Sequence, residues 1–145
     1  MSEKRHTYET AIEWSEGKHG RATADGRPPI PVGAPPEFGG DAQTWSPEHL
    51  CVASVNACLM LTFLAVAETS KVPFTSYAAS ACGELEKVEG RGFVITRITV
   101  RPHIVIPANV ERARVERVVG LAKRNCFISN SLTAEVVVEA EIVTG

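Results

Sequence analysis

From His6 to Trp14 the chain places Tyr8, Thr10, Ile12 and Trp14 on alternate positions, with charged or small residues between them. That two-residue period predicts a half-buried strand. Glu16-Gly17-Lys18-His19-Gly20 reads as a turn, and Arg21 to Ala24 as an antiparallel return that ends at Asp25-Gly26. Residues 26 to 44 carry five prolines and several glycines and are expected to form a loop. A helix follows, opened by Ser46 as cap, Pro47 at the first helical position and Glu48 against the positive end of the dipole. It should run to about Ser70, where Lys71-Val72-Pro73 stops it.

Two strand-like stretches come next, Thr75 to Val88 and Gly92 to Val105, joined by Glu89-Gly90-Arg91 as a β-hairpin. Pro107 opens a second helix. In it Val115, Val119, Ala122 and Cys126 recur at spacings of four, three and four, which puts Cys126 on the buried face. Ala134 to Val143 alternates as a last strand. The order of strands, long helix, hairpin, helix and strand predicts an α+β fold without internal repeats.

The first helix changes this picture. Leu50 to Ala67 is almost wholly apolar, yet it holds Ser54, Asn56 and Thr62 and lies between Glu48 and Glu68, short of the ~20 apolar residues a bilayer requires. A buried helix is expected, and in a chain of 145 residues a second subunit is expected to supply part of its cover.

That length suits one domain spanning 1–145. With 44% hydrophobic and 22% charged residues, a core is available and disorder is not indicated. Fifteen basic against 17 acidic residues give a net charge of −2, which argues against nucleic acid as a partner. The polar start, Met1-Ser2-Glu3-Lys4-Arg5-His6, has no apolar run of the secretory kind, so a cytoplasmic protein without membrane attachment is expected. Four cysteines in a reducing compartment are then free thiols, ligands or redox centres rather than a disulfide framework.

Packing the two helices together can bring Cys58 and Cys126 close, although buried cysteine more often serves as a small hydrophobe. Cys51 lies seven residues before Cys58 on one helix, ~10 Å along its axis, and is assigned to packing, as is Cys82 in its strand. His6, His19, His49 and His103 are scattered over different elements, and there is no C-x-x-C pair, so no metal is expected. A phosphate-binding glycine motif is missing too.

Ser46-Pro47-Glu48-His49-Leu50, continuing to Asn56-Ala57-Cys58-Leu59 and followed much later by Asn125-Cys126-Phe127-Ile128-Ser129, resembles the OsmC/Ohr family of thiol peroxidases. The family pattern is Pro-Glu-x-Leu, then Ala-Cys in the same helix, then Cys-Pro, a Val, Ile or Tyr, and Ser with a following aliphatic. The likeness covers nearly the whole chain. It implies antiparallel sheets wrapped around two central buried helices in an intertwined homodimer, with no metal, flavin, haem or selenium.

The resemblance further implies a peroxidase acting on organic hydroperoxides, and on hydrogen peroxide as well. Cys58 would be the attacking thiol and Cys126 the resolving one, regenerated by a dithiol reductant of the lipoyl type, with Glu48 orienting a basic partner. Such chemistry needs a thiolate, a sulfenic acid and a second thiol that condenses with it. A thiol of pKa ~8.5 is mostly protonated at neutral pH, and a nearby cation would favour its ionised form.

The family supplies an arginine in a Gly-Arg-x-Gly turn, where this chain has Gly17-Lys18-His19-Gly20. Lys18 matches it, and Arg21 lies just beyond, on the opposite face by strand alternation. Phe127 stands where proline is usual, and with Phe38 and Met60 it is a candidate to line an apolar approach. Glu48 and Cys58 are ten residues apart on one helix, ~15 Å of rise, so any contact between these two groups is expected across chains. The rival readings are a non-enzymatic dimer that binds an apolar ligand in its groove, and a structural dimer with inert thiols.

Overall fold

The computed structural model describes residues 4–145 and divides into two compact units, Met1–Leu50 and Cys51–Gly145. In the first, β1 (Ala11–Glu16), β2 (His19–Thr23) and β3 (Ile30–Gly33) form an antiparallel sheet in that order. Gly17, with φ of 54°, makes the β1–β2 turn. Trp14 Nε1 closes over that turn by donating to the Gly17 carbonyl at 2.9 Å.

Three expectations change here. The first strand starts at Ala11 rather than His6, and Ile12 and Trp14 are 67% and 74% exposed in the single chain, so the alternation marks a strand whose apolar row is open. The proline-rich loop also contains β3 and a short 3-10 helix, Pro36–Phe38. Pro31 lies on an edge strand, where a missing N–H does little harm.

Helix α1 (Pro47–Ser70) starts as the sequence indicates. Ser46 is buried, its Oγ accepts the His49 N–H at 3.1 Å, and its hydroxyl also pairs with His49 Nδ1 at 2.6 Å. Such a cap satisfies one of the otherwise free first-turn donors. Of its apolar surface, the row Val55, Leu59, Phe63 and Ala67, spaced by four, is buried, while Leu61 on another side is 59% exposed. By length and composition this helix is apolar enough to cross a membrane. In this fold its buried row belongs to the core cluster.

In the second unit β4 (Ser76–Val88) and β5 (Gly92–Ile106) form the long hairpin, turned at Gly90 with φ of 82°. Ile98, Val100, Ile104 and Ile106 of β5 meet Val55, Leu59 and Phe63 of α1 and Val115, Val118 and Ala122 of α2 (Arg112–Asn125) in one core cluster. Val118 takes the buried place assigned to Val119, which is only partly buried. Gly83 has a steric reason: a Cβ there would come within 2.4 Å of Val52 Cγ2, so glycine lets α1 lie close on the sheet.

The final strand is two strands, β6 (Glu135–Val138) and β7 (Glu141–Thr144), both parallel to β5. The break has a cause on β5. Val100 pairs with Val138 and His103 with Glu141, and between them stands Pro102, which has no N–H to offer a neighbour. Cys82 faces outward on β4 and is exposed, which corrects its assignment to packing. Cys51 is partly buried.

Candidate functional site

The second unit brings Cys58 and Cys126 together. Cys58 lies mid-way along α1, between Val55 and Leu59 of the buried row. Cys126 ends α2 and caps α3 (Phe127–Asn130), a four-residue helix that the sequence pattern did not show. Cys126 is 1% exposed, and among the described residues all four cysteines are free thiols.

Burial pushes the Cys58 thiol up, but hydrogen bonds outweigh it and hold the group below its ordinary value. They come from the Ile128 backbone N–H, the Cys126 side chain, the Thr62 side chain and the Phe127 backbone N–H. Thr62 Oγ1 stands 3.9 Å from Cys58 Sγ and donates to the Cys58 carbonyl at 2.8 Å. No side-chain cation is among these four groups, and within the single chain it is hydrogen bonds that lower the thiol.

Beside α1 a cavity of about 210 Å³ is lined by Ala53, Asn56, Ala57 and Met60, with Tyr77 and Ala79 of β4. Asn56 Nδ2 bridges to the Ala79 carbonyl at 3.3 Å. Tyr77 packs on Phe63 with ring centroids 5.1 Å apart, and its buried hydroxyl has no hydrogen-bond partner among the described residues. Burial, helped by the charge of a Cys126 thiolate, raises the Tyr77 pKa to about 12, so it stays a neutral O–H donor. Of the residues singled out for substrate, Met60 is in this wall, and the Phe127 ring is 80% exposed.

The remaining sequence candidates lie in the first unit. Lys18 Nζ donates to the Phe38 carbonyl at 3.3 Å, which joins two of them. Arg21 is exposed on β2 opposite Glu13 and Pro31. Glu48 sits in the first turn of α1 with one buried carboxylate oxygen that has no partner among the described residues. A wider cavity of about 550 Å³ is lined by Pro35, Asp41, Thr44, Trp45 and His49 among others, but its wall contains no thiol. Asp41 there accepts from the Gln43 N–H and pairs with His19 at 2.7 Å, which together hold its carboxyl below the usual range.

Thr62, Tyr77 and the N–H groups of Phe127 and Ile128 are the groups that reading the sequence missed. Thr62, four residues after Cys58 on one helix, carried a usable signal. The backbone donors carried none.

Residues 39–141 match the sequence model of the OsmC-like protein family, a span that includes Glu48, Cys58 and Cys126. The chain belongs to the OsmC-like family. No curated protein matches the sequence. Among solved structures, it is similar to an OsmC-like protein of unknown function from Vibrio cholerae, with a TM-score of 0.87 and 25% identity over 94% of this chain and 100% of that one. It is also similar to an organic hydroperoxide resistance protein, OsmC, from Legionella pneumophila, with a TM-score of 0.75 and 23% identity over 97% and 100% of the two chains. A third is an organic hydroperoxide resistance protein from Elizabethkingia anophelis, with a TM-score of 0.75 and 21% identity over 99% and 100%. The α+β arrangement of this chain is the OsmC-like fold.

Proposed function

We propose that this OsmC-like protein is a cytoplasmic, cysteine-based peroxidase that reduces organic hydroperoxides to alcohols. The observation that carries the reading is that the Cys126 side chain is among the hydrogen-bonding groups that hold the Cys58 thiol below its ordinary value. Membership of a family that includes organic hydroperoxide resistance proteins supports it.

In the first step the Cys58 thiolate attacks the outer peroxide oxygen. An S–O bond forms, the O–O bond breaks, and the departing alkoxide takes a proton to become the alcohol. Cys126 then attacks the sulfenic sulfur, an S–S bond replaces the S–O bond, and water leaves. A dithiol of the lipoyl type reduces the disulfide by exchange. Hydrogen peroxide follows the same course with water as its product.

The working unit is a homodimer, supported by the apolar side of α1 around Leu61 and by the exposed Ile12 and Trp14 of β1. Glu48, with its unpartnered oxygen, and a cation from Lys18 or Arg21 serve the Cys58 of a second copy, since the helix carries Glu48 ~15 Å from its own Cys58. Met60, Phe38 and Phe127 are assigned to the approach of the alkyl group.

Consumption of cumene hydroperoxide with dihydrolipoamide is the test. Cys58→Ser is expected to abolish it, whereas Cys126→Ser completes one turnover and stalls. Wild-type protein that consumes no peroxide with any dithiol contradicts the enzyme. In that case the apolar cavity at Ala53, Ala57 and Met60 favours a dimer that binds an apolar ligand.

A further inference from the structure

The end of α1 and the first turns of α2 border a cavity of about 240 Å³ in the second unit, lined by Ser70, Val72, Arg114, Arg117, Val118 and Leu121. Val72 and Val118 are buried and with Leu121 supply its apolar part. The rest of the lining is polar, and no carboxylate belongs to it. Arg114 and Arg117 lie three residues apart on α2, which sets like charges against each other on one flank of the helix. Lys71, beside Ser70, adds a third positive residue.

The acids near by do not offset this charge. Glu116 pairs with Arg112 at 3.4 Å, and among the described residues neither Glu68 nor Glu111 pairs with Arg114 or Arg117. The negative end of α1 is taken as well. The Ala67 carbonyl accepts the Val72 N–H at 2.9 Å, the Glu68 carbonyl the Lys71 N–H at 3.2 Å, and the Lys71 carbonyl an N–H of Arg114 at 3.4 Å. Arg114 keeps its other guanidinium N–H groups free, and Arg117 has no side-chain partner among the described residues.

We propose that this cavity binds a small organic phosphate monoester, its charged head at Arg114, Arg117 and Ser70 and its apolar substituent against Val72, Val118 and Leu121. Two guanidinium forks and a hydroxyl suit a tetrahedral oxyanion, and its second negative charge matches the second arginine. The volume is several times the ~30 Å³ share of one water, which leaves room for a substituent beside the phosphate. The second unit alone makes this site, and it does not rest on the peroxidase reading.

Phenyl phosphate titrated into the isotope-labelled full chain is the test. Saturable amide shifts are expected at Ser70, Val72, Arg117 and Leu121, with a dissociation constant in the millimolar range or tighter. Arg117→Gln removes the charge and keeps most of the stem, and it is expected to weaken binding about tenfold. Arg91→Gln, on the β4–β5 turn, is expected to leave binding in place. Inorganic phosphate should bind more weakly than phenyl phosphate, and uncharged benzyl alcohol should not bind. Shifts that fail to saturate, or that scatter over other basic residues, overturn the proposal. So does inorganic phosphate binding as tightly as the ester. Unchanged affinity in Arg117→Gln overturns it too, and should that variant fail to fold, unchanged affinity in Ser70→Ala does.

Discussion

The two units of the chain handle polar groups in opposite ways. In the unit from Cys51 onward, hydrogen bonds from side chains and backbone hold the Cys58 thiol below its ordinary value, and Phe63, Ile98 and Val115 are core residues with almost no exposure. In the unit up to Leu50 the charged groups satisfy one another or face water: Lys18 reaches a carbonyl, His19 pairs with Asp41, and the apolar row of β1 is exposed. A thiol placed among fixed peptide dipoles has its ionisation set by the fold. A flexible ammonium on a turn makes a weaker and more replaceable contribution.

Truncation separates the two regions most strongly. Phe63→Ala removes a side chain that is 1% exposed and contacts the rings of Phe74 and Tyr77, and it is expected to cost about 3–5 kcal/mol in urea unfolding. Trp14→Ala removes a ring that is 74% exposed, with one hydrogen bond to the Gly17 carbonyl, and should cost about 1 kcal/mol or less. Comparable losses at the two sites would erase the contrast. A Trp14→Ala loss that shrinks as protein is diluted would instead locate β1 in the homodimer interface.

The pH dependence differs in sign between the units. Tyr77 has its pKa raised to about 12 by burial, so its contribution to stability is whole below the unfolded value near 10 and is lost as pH rises from there through 12. Asp41 has its pKa lowered, so its contribution is whole above 3.8 and is lost as pH falls through the folded value. Tyr77→Phe should flatten the alkaline limb of a stability profile and leave the acid limb alone. An alkaline limb unchanged by Tyr77→Phe would assign it to another group.

Much of the fold was legible because long elements leave periodic traces. Ser46, Pro47 and the stop at Lys71 bounded α1 to the residue, and the hairpin of β4 and β5 followed from its alternation and Gly90. Elements of four residues were not legible. Four positions are too few for a helical period, so α3 escaped notice, and β3 was hidden by a proline that only an edge strand tolerates. The split of the last strand depended on Pro102 of β5, a residue far away in sequence.

The site shows the same division. Cys58 and Cys126 stood out by helical spacing and by resemblance, whereas a backbone N–H has no letter of its own. Phe127 was read for its ring, which is 80% exposed in the single chain. Glu48 and Lys18 were read from the family pattern, and the structure gives them a buried unpartnered oxygen and a carbonyl partner respectively.

The central claim is that Cys126 is the thiol within reach of an oxidised Cys58. Treating the reduced protein with one equivalent of cumene hydroperoxide and mapping disulfides by mass spectrometry of non-reduced peptides tests it directly. The account predicts an intrachain link between Cys58 and Cys126, with Cys51 and Cys82 free. Cys58 recovered as sulfinic acid beside a free Cys126, or joined to Cys51 or Cys82, would contradict it.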